Sequence, residues 1–303
     1  ILINASVLPD QHLVDQIINL KNNQLLINNN LIIAVCCHHE MIDKFTTETD
    51  HFEIIDLKLN YSRISKLWDI FLLNGEQIES DFHLLTNNRK SASISQTNTI
   101  IGNNIFVEEG AKAECAVFNT KNGPVYLGKN SEVMEGSAIR GPFALCDHAS
   151  LKMNAKIYGP TTIGPHSKVG GEVNNSVFQG YSNKAHDGFL GQAVIGEWCN
   201  IGADTNNSNL KNNYADVRLW NYSSKNFEKT GLQFCGLIMG DHSKCGINTM
   251  FNTGTVIGVS SNLFGAGFPR NSVPDFSWGG AHGYSTYSLS KVFNVAEKVM
   301  QRR

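Results

Sequence analysis

The chain has 303 residues, with 25 Lys and Arg against 27 Asp and Glu and a formal net charge of −2. That balance gives no electrostatic case for nucleic acid or an anionic membrane as partner, and no apolar run is long enough to span a bilayer as a helix, Leu25–Cys37 coming nearest before Asn28–Asn30 interrupts it. The length suits two domains with a sizeable core, and seven cysteines, odd in number and without a CxxC pair, read as reduced, mostly buried thiols of a cytoplasmic protein.

No signal peptide is visible, and the chain opens without methionine at Ile1, on what reads as a strand, which is compatible with residues before it. The first region, to about Leu85, is mixed. Ile1–Ala5 reads as a buried strand, and Asp10 as the cap of a helix over Asp10–Lys21 with Leu13, Ile17, Ile18 and Leu20 at helical spacing. Leu25–Ala34 predicts strand and turn around the asparagines, His51–Leu57 a further strand, and Ile64–Leu73 a helix. Alternation of this kind is the mark of an α/β layer. Asp43–Asp50 is polar and reads as loop. The pair His38–His39 with Glu40 lacks a third ligand and reads as a solvated turn rather than a metal site. Ser91–Asn98 has linker chemistry.

From Leu127 onward an aliphatic residue recurs every sixth position: Val133, Ile139, Leu145, Leu151, Ile157, Ile163 and Val169. The register returns as Phe189, Ile195 and Ile201, and again as Met239, Cys245, Phe251, Ile257 and Leu263. Six residues fit neither helix nor continuous strand. They fit a short strand and a tight turn, three times per coil, with one inward residue per face stacked on its equivalent in the next coil. Frequent Gly and Asn suit turns that need positive φ. A helix is excluded by the drift of the spacing and the recurrence of glycine; a sandwich would need polar alternation and hairpin turns. The fold class is therefore mainly β: a parallel β-helix of triangular section, preceded by a partial α/β domain and followed by a C-terminal helix. Domain bounds are set at 1–90, 91–270 and 271–303.

Two stretches depart from the repeat: Asn174–Gly188, and Asn206–Leu237, a long excursion rich in Asn, Tyr, Trp and Lys. Loops that leave a rigid scaffold concentrate function. Trp220, Tyr222 and Phe227 argue for an ordered excursion laid over a neighbouring surface, such as that of another subunit. Beyond the repeat, Phe268–Gly280 reads as an extended arm anchored by Trp278. Tyr287–Arg303 reads as an amphipathic helix, with Leu289, Val292, Phe293, Ala296, Val299 and Met300 on one face and Lys291, Glu297 and Lys298 opposite, suited to capping the solenoid end.

The repeat, the segment from Lys184-Ala-His-Asp-Gly-Phe-Leu-Gly to Asn200-Ile-Gly-Ala203, and Met239-Gly-Asp-His-Ser-Lys-Cys-Gly-Ile-Asn-Thr249 together resemble the left-handed β-helix of hexapeptide acyltransferases. The strongest likeness is to the acetyltransferase half of the bifunctional N-acetylglucosamine-1-phosphate uridyltransferase family. It covers roughly Ile101–Gly267, is faint before that and absent after it. The whole chain is similar to a bacterial subgroup described as sugar nucleotidyltransferases of that family. The resemblance implies acetyl-CoA as cofactor, an amino-sugar phosphate or related amino sugar as acceptor, and a homotrimer with sites between β-helices. His186 matches the catalytic histidine. A neutral imidazole suits removal of a proton from an attacking amine near neutral pH, with no covalent intermediate required.

Carried over in the same way, Asn200 and Asn209 match sugar-contacting or histidine-holding positions, and Ala203, Ile247, Gly265 and Ala266 the region that meets the cofactor. Phe189 and Leu210 stand where the family has tyrosines. The arginine and lysine that bind the sugar phosphate appear as Tyr158 and Asn174 here, neither of which can fork onto a phosphate. Lys152, Lys156, Lys168 or Lys184 is left to supply charge. The family's glycine-rich phosphate loop is not in this chain, so uridylyl transfer is not assigned and Mg2+ is implied only if nucleotidyl transfer occurs. Two rival readings stand beside acetyl transfer: a sugar-1-phosphate nucleotidyltransferase whose β-helix is structural or regulatory, and a non-enzymatic scaffold that binds a sugar nucleotide.

Overall fold

The structure is a computed structural model and describes residues 1–45, 49–57 and 61–302. It divides into two compact units, Ile1–Asp69 and Ile70–Arg303.

The first unit contains β1 (Leu2–Ile3), β2 (Val7–Leu8), α1 (Gln11–Ile18), β3 (Gln24–Asn28), β4 (Leu31–Cys36), β5 (Glu53–Asp56) and β6 (Ser62–Arg63). Asp10 caps α1, its Oδ1 accepting from the Leu13 amide at 2.8 Å. Leu13 and Ile17 then bury against Val7, Leu26 and Ile33. Asn29 and Asn30, at φ 48° and 67°, make the two-residue turn that joins β3 to β4 in the hairpin twist. β5 joins β3 in parallel, giving the order β1-β4-β3-β5. The opening strand is not buried as its apolar character predicts: β1 is an edge strand, with Leu2 39% and Ile3 56% exposed. His39–Met41 forms a single 3-10 turn. Thr46–Glu48, within the expected polar loop, lie outside the described residues.

The helix expected over Ile64–Leu73 instead starts at Asp69 and runs to Thr86 (α2). Phe71, Asn74, Ile78 and Phe82 are its buried residues. Their spacing of three and four residues lays one face of α2 on the solenoid that follows. Asn74 Oδ1 accepts from Thr162 Oγ1 at 2.7 Å. Gly75 allows the close approach, since a Cβ there would stand 2.8 Å from Cγ of Pro160.

The solenoid has three faces of parallel strands. Face A runs from Thr99–Ile101 to Phe189–Gly191, face B from Ile105–Val107 to Ser272–Val273, and face C from Lys112–Ala113 to Ser277–Gly280, where an antiparallel strand, Gly283–Thr286, closes it. Equivalent residues stack coil on coil, as Leu127, Leu145 and Ile163 do on face B. Fifteen of the sixteen residues picked out by the six-residue period belong to one continuous core. The exception is Phe189. Pleat alternation turns Leu190 inward (1% exposed) opposite Val173, and Phe189 outward opposite Glu172. The first departure, Asn174–Gly188, is therefore an ordinary coil with shortened corners, carrying Phe178 inward on face B and Lys184 inward on face C.

The second departure leaves after Asn206–Asn207 and returns at Leu237–Met239. It folds as an antiparallel hairpin, Arg218–Asn221 with Asn226–Lys229. Val217 and Leu219 are buried and Trp220 lies edge-on to Phe227 at 5.4 Å. Where it leaves and returns it is tied to its own solenoid: Gly254 N donates to Cys235 O, and Ser208 and Thr253 share a hydroxyl hydrogen bond of 2.8 Å. Near the amino-terminal coil, Arg89 forks onto both oxygens of Glu108 at 2.8 and 2.6 Å, and Tyr126 donates to the same carboxylate. The Arg89 pair and the Tyr126 bond together hold the Glu108 carboxyl below its ordinary range.

The last helix, α3 (Leu289–Met300), is shorter than predicted. It does not cap the solenoid end. Val299, Lys298 and the following Arg302 face strands in mid-array, Lys168, Asn183 and Asn200 among them, while Leu289, Phe293 and Met300 are exposed. No helix among the described residues is long and apolar enough to cross a membrane, and none of their His, Cys, Asp and Glu side chains cluster in a metal-holding group of three.

Candidate active site

The corner that joins face C to face A recurs once per coil, and the sequence-singled residues lie along it. His186 occupies this corner in one coil, between Asn183–Lys184 and Phe189–Gly191. In the next coil the corner holds Ala203, and Asp204 N donates to Asp187 O at 3.0 Å. In the coil after that it holds Ile247, with Asn248 N donating to Ala203 O at 2.8 Å. Gly246 N bonds in turn to Leu263 O, just before the exposed corner of Gly265 and Ala266. His186, Ala203, Ile247 and Gly265–Ala266 thus form one edge of the prism, at a coil spacing of about 4.8 Å. The edge is open: Ile247 is 71% exposed, and a Cβ at Gly265 would meet nothing within 4 Å.

His186 is exposed, and its ring makes no hydrogen bond with any described residue. Its backbone, by contrast, is held on both sides. Gly188, at φ 113°, allows the corner to close where a Cβ would lie 2.2 Å from Thr205 O. Lys184 is 1% exposed and stands in a column otherwise filled by Val169 and Ile201. Its Nζ donates to Gly170 O at 3.0 Å and to His186 O at 2.9 Å. Burial pushes its pKa down to about 8, against the opposing pull of Asp187 and Asp204. Proposed from the sequence as a charge offered to substrate, Lys184 points into the core because the strand pleat puts it there.

Asn200 and Asn209 flank the edge. Asn200 is exposed on face C, and its Oδ1 accepts weakly from Asn183 at 3.4 Å. Asn209 is half-buried on the other side of the corner, donating to Gln192 Oε1. Its Nδ2 lies 2.7 Å from where a Gly191 Cβ would stand. Tyr158 and Asn174 occupy adjacent positions on face A, in register with Gly191. The Tyr158 hydroxyl donates to Glu172 Oε1 and is pushed up to about 12, mainly by burial. The sequence reading missed Arg140. It precedes Tyr158 by one full coil of 18 residues, and with Asn119, Lys156 and Tyr158 it lines a 440 Å³ cavity on face A. That arithmetic was available in the repeat.

Residues 1–90 match the sugar nucleotidyl transferase family. The chain is also similar to bifunctional protein GlmU of Clostridium beijerinckii, 28% identical over 160 residues (52% of this chain, 28% of the relative). It is likewise similar to GlmU of Methanocaldococcus jannaschii, 28% identical over 205 residues (67% and 43%). The bifunctional sugar-1-phosphate nucleotidylyltransferase/acetyltransferase of Sulfurisphaera tokodaii is 26% identical over 144 residues (47% and 35%). The chain spans less than half the length of these three relatives. Among solved structures, the polySia-specific acetyltransferase NeuO is 14% identical with a TM-score of 0.30, covering 63% of this chain and 86% of its own. The N-acyltransferase AntD of Bacillus cereus is 12% identical with a TM-score of 0.29, covering 69% and 93%. The family match and the three sequence relatives agree with the family resemblance seen in the sequence.

Proposed function

We propose that this chain transfers an acetyl group from acetyl-CoA to the amine of an amino sugar, free, phosphorylated or nucleotide-linked. The observation that carries the reading is the open edge on which His186 is followed, coil by coil, by Ala203, Ile247 and Gly265–Ala266. The small residues and the exposed Ile247 fit a flexible thiol-bearing arm laid along the solenoid. When bound, the cofactor supplies an acetyl thioester. His186 takes the proton from the attacking amine on a ring nitrogen, and the Lys184 bond to its carbonyl and the Gly188 turn hold its backbone. Asn200 and Asn209 orient the sugar hydroxyls. A cytoplasmic location and a homotrimer whose sites lie between β-helices belong to the same reading, as does the division at residues 90 and 270.

The test is acetyl-CoA turnover with a panel of amino sugars, wild type against His186→Ala. Loss of one defined acetylation by ~10²–10⁴-fold in kcat, with the fold intact, is expected; full activity in the variant removes His186 from the chemistry, and no turnover with any amine removes the reading. A second reading is favoured by the match of residues 1–90 to the nucleotidyl transferase family: sugar-1-phosphate nucleotidyl transfer with Mg2+. Release of pyrophosphate from a nucleoside triphosphate and a sugar 1-phosphate would establish it.

A further inference from the structure

The 440 Å³ cavity on face A lies over three consecutive strands, Val117–Asn119, Ala138–Arg140 and Lys156–Tyr158. Phe118, Ile139 and Ile157 point inward, so the pleat turns the residues on either side of them outward, Arg140 and Lys156 included. Both cations line the cavity, and no Asp or Glu is among its described lining residues. Both are exposed, and neither side chain makes a hydrogen bond or ion pair with any described residue. The acid next in register is Glu172, opposite Lys156, and it accepts from the Tyr158 hydroxyl. A forked guanidinium and an ammonium on one hollow suit an anion of more than one charge.

The side chains change character in order along the face. From the corner that holds His186, face A presents first Glu172 and Asn174, then Tyr158 with Lys156 and Arg140, then Asn119 with Val117 and Ile101. The first group suits sugar hydroxyls and the second an anion. The third is an apolar ledge with one amide, whose Oδ1 accepts from Lys121 N at 3.1 Å and whose Nδ2 is left to donate. A nucleotide-linked sugar carries its parts in the same order: hydroxyls, diphosphate, flat base. The volume is in the range of small-ligand pockets. The Ala138–Arg140 strand lies three coils from Phe189–Gly191, about 14 Å at the strand spacing. A phosphate on the carbon next to the amine falls well short of that, since only four bonds of about 1.5 Å separate its phosphorus from the nitrogen.

We infer that this cavity binds the diphosphate and base of a nucleotide-linked amino sugar whose amine stands across the ring from the anomeric carbon. The cavity follows from face A alone; placing the amine at His186 rests on the acetyl-transfer reading. Arg140 and Lys156 supply the anion-binding charge that Tyr158 and Asn174 lack. The acceptor then runs from His186 toward the amino-terminal coils, away from Ala203, Ile247 and Gly265–Ala266, and leaves that part of the edge to the cofactor.

Isothermal titration of the full chain with uridine, thymidine and guanosine diphosphates, with pyrophosphate and coenzyme A as competitors, tests the site. Arg140 and Lys156 are exposed, so the Arg140→Ala/Lys156→Ala variant keeps the wild-type melting temperature. The best of the three nucleotides is expected to bind that variant at least tenfold more weakly. Pyrophosphate, which lacks the base, and coenzyme A are each expected to compete at least tenfold less well than that nucleotide. No binding of any of the three, undiminished affinity in the folded variant, or equal competition by pyrophosphate or coenzyme A overturns the proposal. In turnover, a sugar linked to that nucleotide, with its amine opposite the anomeric carbon, is expected to exceed glucosamine 1-phosphate at least tenfold in kcat/KM. Equal or reversed preference overturns the proposal as well. His186→Ala is expected to leave nucleotide binding unchanged. If neither amine is acetylated, the acetyl-transfer reading fails by itself, and the titrations still decide the cavity.

Discussion

At the scale of single residues, Lys184 is the position where chemistry and architecture meet. An ammonium in a column of aliphatic side chains carries a desolvation cost, met here by two carbonyls, Gly170 O and His186 O. Its folded pKa of about 8 lies below the ordinary 10.5. Between those values the unfolded chain binds more protons than the folded one, so this group makes stability rise with pH across that window and contributes no slope below it. Lys184→Met removes that slope. The difference in unfolding free energy between wild type and variant is expected to change by on the order of 3 kcal/mol over the window; a flat difference in denaturant titrations at successive pH values would refute it. The variant also leaves both carbonyls without their donor, at about 1–3 kcal/mol each. The period of six could locate Lys184 in the chain. Its inward direction depends on where the shortened corner restarts the pleat, which side-chain identity alone does not report. The same restart explains why Phe189 and not Leu190 fell on the sequence register.

Among the elements, α2 shows how a helix is fitted to a solenoid. A glycine in mid-helix costs about 1 kcal/mol relative to alanine, yet Gly75 is retained where Pro160 presses against α2. Gly75→Ala is therefore expected to destabilise the protein by about 1–3 kcal/mol through overpacking, despite its better propensity; a rise in melting temperature would show that α2 can shift outward. The start of α2 was not legible at Ile64, since Trp68, Phe71 and Leu72 fit a helical stripe whether the helix starts before or after them. α3 was legible as a helix but not as to its seat. Its apolar stripe suggested an end cap, whereas Lys298 and Arg302 lie over face C in mid-array. The edge carrying His186, Ala203 and Ile247 could be read from spacing and family likeness. The neighbouring of Lys244 and Asn200 on face C could not, because the excursion from Asn206 to Leu237 separates them by 44 residues in sequence and by one coil in space.

For the whole molecule, a stack in which each coil packs only on its neighbours frays from its ends. The Arg89–Glu108–Tyr126 cluster secures the amino-terminal end. Glu108→Gln is expected to speed amide exchange in Thr99–Val107 roughly tenfold, as loss of a charged hydrogen bond would, and to leave Val256–Leu263 unaltered; equal acceleration at both ends would show that the solenoid opens as one unit. The core itself was read almost completely from one short period, because stacking like on like writes the same demand into every coil. The corners carry a further consequence. A one-residue slip inverts every side chain of a continuous strand, but here the pleat restarts at each bend. The coil through Lys184 is shorter than its neighbours, and the one after it holds a hairpin-bearing insertion, yet the faces above and below stay in phase. Each bend works as punctuation in a reading frame. An insertion or deletion is a local edit, and new loops can be tried beside His186 without rewriting the rest of the scaffold.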